Sequence, residues 1–209
     1  MNDTPKVPIT LELLWKGPFT LSTPEERRHF DPPTGGGLYL WCVGRHPGYR
    51  VSWVGQSGNL EGRMYSHICS ILGGAYWLYS DAHLIDGLGP VQEYAEYKPG
   101  LKNILEVFLA DFGKHSSMAL RNLQSYTFFW AEFPGELPGG EDRWKPSVVR
   151  KAVESALITE AKKRGEPLQN GPRSLGSAKS PRVTIKSRFL RAGFEVPGIP
   201  EEIQYGEKD

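Results

Sequence analysis

Two apolar, aromatic-rich runs, "LYLWCVG" at 38–44 and "YRVSWVG" at 49–55, lie a few residues apart. "QSGNLEGRMYSH" at 56–67 follows them directly. No other feature of the chain restricts its fold as much. The mix of aromatic and β-branched residues suits strands, and "HPG" at 46–48 supplies a turn, so the runs predict an antiparallel hairpin. Asn59 is placed to cap a helix that reaches about Leu72, where Gly73 and Gly74 stop it. Within that helix Arg63 and His67 are four residues apart and share one face. A cation and an imidazole aimed the same way, just past a strand-to-helix turn, suit a phosphate. Taken singly, each is also an ordinary surface or partly buried residue.

Elsewhere the signals are weaker. Residues 1–35 are punctuated by proline and read as an arm, with one short helix opened by Thr23 and Pro24. Residues 75–100 have no clean period and read as a long excursion with an irregular hairpin. In "LKNILEVFLADFG", apolar residues at 101, 104, 105, 108 and 109 predict a helix, and "SYTFFWAEF" at 125–133 predicts a third strand. Pro146 opens a further helix that ends at Gly165, with Val149, Ala152, Val153, Ala156, Leu157 and Ala161 as its apolar stripe and Glu154 just beside it. The rest reads as loop-like and basic. These elements predict an α+β protein with a small, mostly antiparallel three-stranded sheet flanked by helices. An arm (1–35) precedes the central domain (36–172), which carries an insertion at 73–124, and a basic extension (173–209) follows.

No apolar stretch approaches the length of a membrane span. The acidic and proline residues near the start do not form a signal peptide, so a cytoplasmic protein without a membrane partner is expected. Cys42 and Cys69 have apolar surroundings and no CxxC spacing, and read as reduced, buried thiols rather than zinc ligands. Formal charge is +1 overall but unevenly spread. Residues 143–194 hold 13 Lys and Arg against 3 Asp and Glu, a net +10 that suits a polyanion. Within this block Lys179, Arg182, Lys186, Arg188 and Arg191 are partly alternating, as on one strand face. They read as a grip on a DNA backbone, against the plainer reading of a solvated surface.

The order strand, turn, strand, glycine, helix with Arg and His, strand, helix with Glu resembles the GIY-YIG nuclease superfamily. "GLY" at 37–39 matches the first signature and "WVG" at 53–55 the second. "GQSGNLEGRMYSH" is similar to the continuation that carries Arg63 and His67, and "VESALITEAKKRGEPLQN" to the later element with Glu154 and Asn170. The resemblance covers residues 36–170 discontinuously. It implies an endonuclease that hydrolyses DNA phosphodiester bonds with Mg²⁺ or Mn²⁺ held by Glu154, and it is nearest to the Type II restriction enzymes of the superfamily. Tyr39, Arg63, His67 and Glu154 would be catalytic. Arg63 would neutralise phosphoryl oxygens, His67 would hold the phosphate or relay a proton, and Tyr39 would position the attacking water. Trp53, Gln56, Ser57 and Asn170 would contact double-stranded DNA or shape the site, and cleavage of both strands would use a homodimer. Trp53 stands where the family has a tyrosine, and an indole N–H cannot accept a proton. The rival reading is therefore a catalytically impaired module of the same fold that binds DNA or a protein.

Overall fold

The computed structural model describes residues 8–44, 48–76, 78, 81–86, 104–138, 144–171 and 181–206. The expected hairpin is formed by β2 (Gly37–Val43) and β3 (Arg50–Ser57), paired antiparallel with Tyr39 opposite Gly55 and Trp41 opposite Trp53. β2 is buried along its whole length, because each of its faces meets a different layer. Leu38, Leu40 and Cys42 enter a core shared with α6 (Pro146–Lys163). Tyr39, Trp41 and Val43 enter a second core, shared with α2 (Leu60–Leu72), α4 (Ile104–Ala110) and α5 (Phe112–Ser125). The period-2 alternation of a strand thus sorts one sequence into two cores. β4 (Thr127–Glu132) lies on the other side of β2, antiparallel, with Trp130 opposite Tyr39.

The sheet is larger than the three strands expected. β1 (Ile9–Thr20), β5 (Val183–Phe189) and β6 (Glu202–Tyr205) extend it to six, in the order β3-β2-β4-β1-β5-β6. It is mixed rather than antiparallel, since β1 and β5 run parallel. The segment read as an arm is therefore a strand inside the sheet, and the tail read as loop supplies two more. The cause lies in "ITLELLWK". Ile9, Leu11, Leu13 and Trp15 are buried while Thr10, Glu12, Leu14 and Lys16 face outward. Burying four such side chains stabilises by about 1.5–3 kcal/mol each, which outweighs the local signal of the flanking prolines.

β1 serves two partners in succession. Residues 9–15 pair with β5, and Lys16, Phe19 and Thr20 pair with β4, the register of this second pairing shifting between Lys16 and Phe19. Gly17 stands at the irregularity with φ +137°, in a place where the ring of Phe129 and the carbonyl of Phe128 leave no space for a Cβ.

Other expectations shift in detail. The single helix expected over 101–113 is instead α4 followed by α5, which is opened by Asp111 accepting from the Lys114 amide. Short helices α1 (Pro24–Arg28) and α3 (Asp81–Ile85) are present as well. Most of the expected irregular hairpin over 75–100 falls outside the described residues. Cys42 is buried, but Cys69 is exposed on α2, so only one of the two cysteines acts as a core residue. Among the described residues no helix is long and apolar enough to cross a membrane.

Candidate phosphate-binding site

The turn after β3 is built from side-chain hydrogen bonds. The Ser57 hydroxyl accepts from the Asn59 amide (3.0 Å), and Asn59 Oδ1 caps α2 by accepting from the Gly62 amide (2.7 Å). Leu60, Met64, His67 and Ile71 then form the buried face of the helix, and Arg63 lies beside it. His67 points under the sheet to meet Tyr39, whose hydroxyl lies 2.7 Å from His67 Nε2. Gly55, opposite Tyr39 on β3, is required here because the phenol ring occupies the space its Cβ would take.

The Tyr39 hydroxyl is the meeting point. Burial pushes its pKa up; hydrogen bonding and the positive charge of Arg63 oppose that shift, the charge of Glu154 adds to it, and a hydrogen bond from Trp53 opposes it. Arg63 and Trp53 are donors only. Donation from both to the phenolic oxygen would leave its own proton for His67 Nε2. Burial, helped by the charge of Arg63, lowers the His67 pKa to about 3, so the imidazole is neutral at physiological pH. The network then assigns the ring proton to Nδ1. That buried atom has no hydrogen-bond partner.

Glu154 comes from α6, on the far side of the hairpin, and is 1% exposed. Its charge acts on Tyr39 and also on Arg150, one turn earlier on α6. Arg150 donates from Nε to Gln56 Oε1 (2.8 Å) and lies over the Phe133 ring at 5.8 Å. Burial lowers its pKa and Glu154 opposes the shift. Of the four residues expected from the sequence to act together, Tyr39 and His67 are in hydrogen-bond contact, and Arg63 shares the lining of one cavity with His67. Glu154, on the opposite layer, acts on the Tyr39 hydroxyl through its charge. Arg150 was not singled out there. Its position four residues before Glu154 was the available signal.

Asn170 acts as a clip. Its amide accepts from the Val54 N–H (3.3 Å) and donates to the Val54 carbonyl (2.6 Å), copying a strand partner on the outer edge of β3. Gln169 N–H to the Ser52 carbonyl (2.8 Å) and Val51 N–H to Glu166 Oε2 (2.6 Å) continue the lacing, so this edge is covered. Gln56 holds Arg150 and Ser57 holds the turn. Tyr65 is exposed, and Tyr49 packs in the core on the α6 side, away from Tyr39.

The basic run is dispersed. Lys186 and Arg188 face outward from β5, but Lys186 stands between Glu12 on β1 and Glu202 on β6. Arg191 lies over the Phe194 ring at 4.2 Å, and Arg182 precedes β5, its carbonyl accepting from the Ile9 amide. Lys179 lies outside the described residues.

Beside Tyr39 opens a cavity of about 420 Å³, into whose lining α2 puts Arg63 and His67 and β3 puts Trp53. Among the described residues no group of three or more His, Cys, Asp or Glu is arranged to hold a metal ion. Glu154, the carboxylate whose charge acts on Tyr39, is not part of the cavity lining. No protein-family model matches the chain, and neither a curated protein nor a solved structure is significantly similar to it.

Proposed function

We propose that this protein is a divalent-metal-dependent endonuclease that hydrolyses DNA phosphodiester bonds, with a site of the GIY-YIG type. The observation that carries the reading is the convergence of Arg63, His67 and the charge of Glu154 on the Tyr39 hydroxyl, from two helices on different layers of the sheet. Glu154 supplies one hard carboxylate, and Mg²⁺ or Mn²⁺ take one or two carboxylates and complete their shell with water and phosphate. When bound at Glu154, such an ion supplies Lewis-acid stabilisation of the leaving oxygen.

The chain's own residues do the rest. Arg63 donates to the non-bridging phosphate oxygens as charge grows there. Substrate phosphate draws the Arg63 donors away from the phenolic oxygen, which frees a lone pair on Tyr39. With it Tyr39 orients the attacking water and accepts its proton while the phenolic proton moves to His67 Nε2. A phosphate bound at Arg63 offsets the positive charge that helps to depress His67, so the imidazole becomes a better acceptor when substrate is present. Trp53 takes no proton; it holds the Tyr39 oxygen in place. The base function of the tyrosine it replaces then falls to the Tyr39–His67 pair. Cutting both strands requires two copies of the site, hence a homodimer on the duplex.

The test is supercoiled plasmid with Mg²⁺ or Mn²⁺. Nicking by the wild type that is lost in Glu154→Ala and in Arg63→Ala supports the proposal. Retained DNA binding without nicking under either metal overturns it in favour of the impaired binding module, the reading that Trp53 and the depressed His67 favour.

A further inference from the structure

The cavity extends well past the residues used above. Its walls are aromatic, with Trp41 and Trp53 from the hairpin, Tyr76 after α2 and Tyr126 after α5. Trp41 lies 5.3 Å from Tyr126 and 6.0 Å from Trp53, measured between ring centroids, and His67 lies 5.5 Å from Tyr76. Arg63 and His67 stand at one part of the lining, and the amides of Asn122 and Gln169 add polar groups. The Gln169 amide donates to the Tyr126 hydroxyl at 2.8 Å, which fixes its position. Trp41 Nε1, like His67 Nδ1, is a buried polar atom on the lining without a hydrogen-bond partner. The indole nitrogen always carries a proton, Nδ1 carries one in the tautomer assigned above, and Arg63 is a donor, so this part of the cavity seeks acceptors.

A volume of about 420 Å³ lies within the range of small-ligand sites. The combination of one cationic donor, neutral N–H donors, flat aromatic walls and side-chain amides matches a nucleotide: phosphate, base face and base edge. We propose that this cavity receives one nucleotide turned out of its stack, with its phosphate at Arg63 and His67 and its base among Trp41, Trp53, Tyr76 and Tyr126. The inference deepens the nuclease reading and rests on it for the identity of the polymer. It also gives Trp53 a use, since its N–H serves Tyr39 while its ring serves as wall. The amides of Asn122 and Gln169 would then favour some bases over others, making the pocket a source of sequence preference beside the scissile phosphate.

The experiment is equilibrium binding to the full chain, read by tryptophan fluorescence, with the four deoxynucleoside 5′-monophosphates, 2-deoxyribose 5-phosphate and inorganic phosphate as probes. At least one monophosphate is expected to bind about tenfold or more tightly than 2-deoxyribose 5-phosphate, as a stacked base requires. Tyr76→Ala, at a partly exposed position, is expected to erase most of that ratio, while Arg63→Ala weakens every phosphate probe together; thermal melts establish that both fold. Base-dependent binding by a chain that fails to nick plasmid supports the pocket while removing the nuclease reading. Monophosphates binding no better than 2-deoxyribose 5-phosphate overturn the pocket, whatever the plasmid assay shows.

Discussion

Burying a neutral imidazole makes the fold sensitive to acid, and the size of the effect can be worked out. His67 is 0% exposed, with a pKa of about 3 in the folded chain against the ordinary 6.5. Between those values the unfolded chain binds a proton that the folded chain refuses, so stability falls as pH drops through this window and is unaffected above it. The full gap is worth about 5 kcal/mol. From pH 7 to pH 5 the loss is about 2 kcal/mol, and this figure holds for any folded value below about 4.5. The assay is urea unfolding of wild type and His67→Gln at pH 7, 6 and 5, which removes the titration but keeps a polar group. Every other titrating residue is common to both chains, so the difference between the two curves isolates His67. The wild type should lose about 2 kcal/mol more than the variant over this range. Parallel curves would refute the claim that His67 is buried uncharged, and with it the tautomer assigned from the Tyr39 network.

Tyr39→Phe leaves Arg63, Trp53 and His67 without the oxygen they share; it should cost about 1–3 kcal/mol in urea unfolding and abolish plasmid nicking, whereas unchanged stability would mean that the hydroxyl is not the hub. Asn170→Ala removes both side-chain bonds to Val54, and a loss of about 1–2 kcal/mol is expected, with faster hydrogen exchange at the Val54 amide than at the amides of β2.

The legible parts of this chain are those whose partners are close in sequence. The β2–β3 hairpin, the Asn59 cap and the Arg63/His67 face all follow from neighbours within about twenty residues. Glu154 is singled out in the sequence by the resemblance of "VESALITEAKKRGEPLQN" rather than by any local pattern. β1 was missed although Ile9, Leu11, Leu13 and Trp15 alternate without a break, because its parallel partner, β5, lies some 170 residues away and leaves no local trace. The prolines before and inside the strand then made an arm the easier reading. The sheet was undercounted for that one reason, as β5 and β6 have a place only once β1 has joined. The cavity was hidden similarly. Asn122 and Tyr126 belong to the end of α5, and Gln169 to the clipped loop, so the walls come together only in three dimensions.

The dual pairing of β1 has a consequence for how the protein is made. On the ribosome, residues 9–15 emerge long before residues 183–189, the neighbour that satisfies their backbone on one side. Until residues 183–189 leave the exit tunnel, an apolar strand with an open hydrogen-bonding edge is on offer to any other nascent chain. High expression rates should therefore favour inclusion bodies, and a holdase that shields that edge should improve the soluble yield.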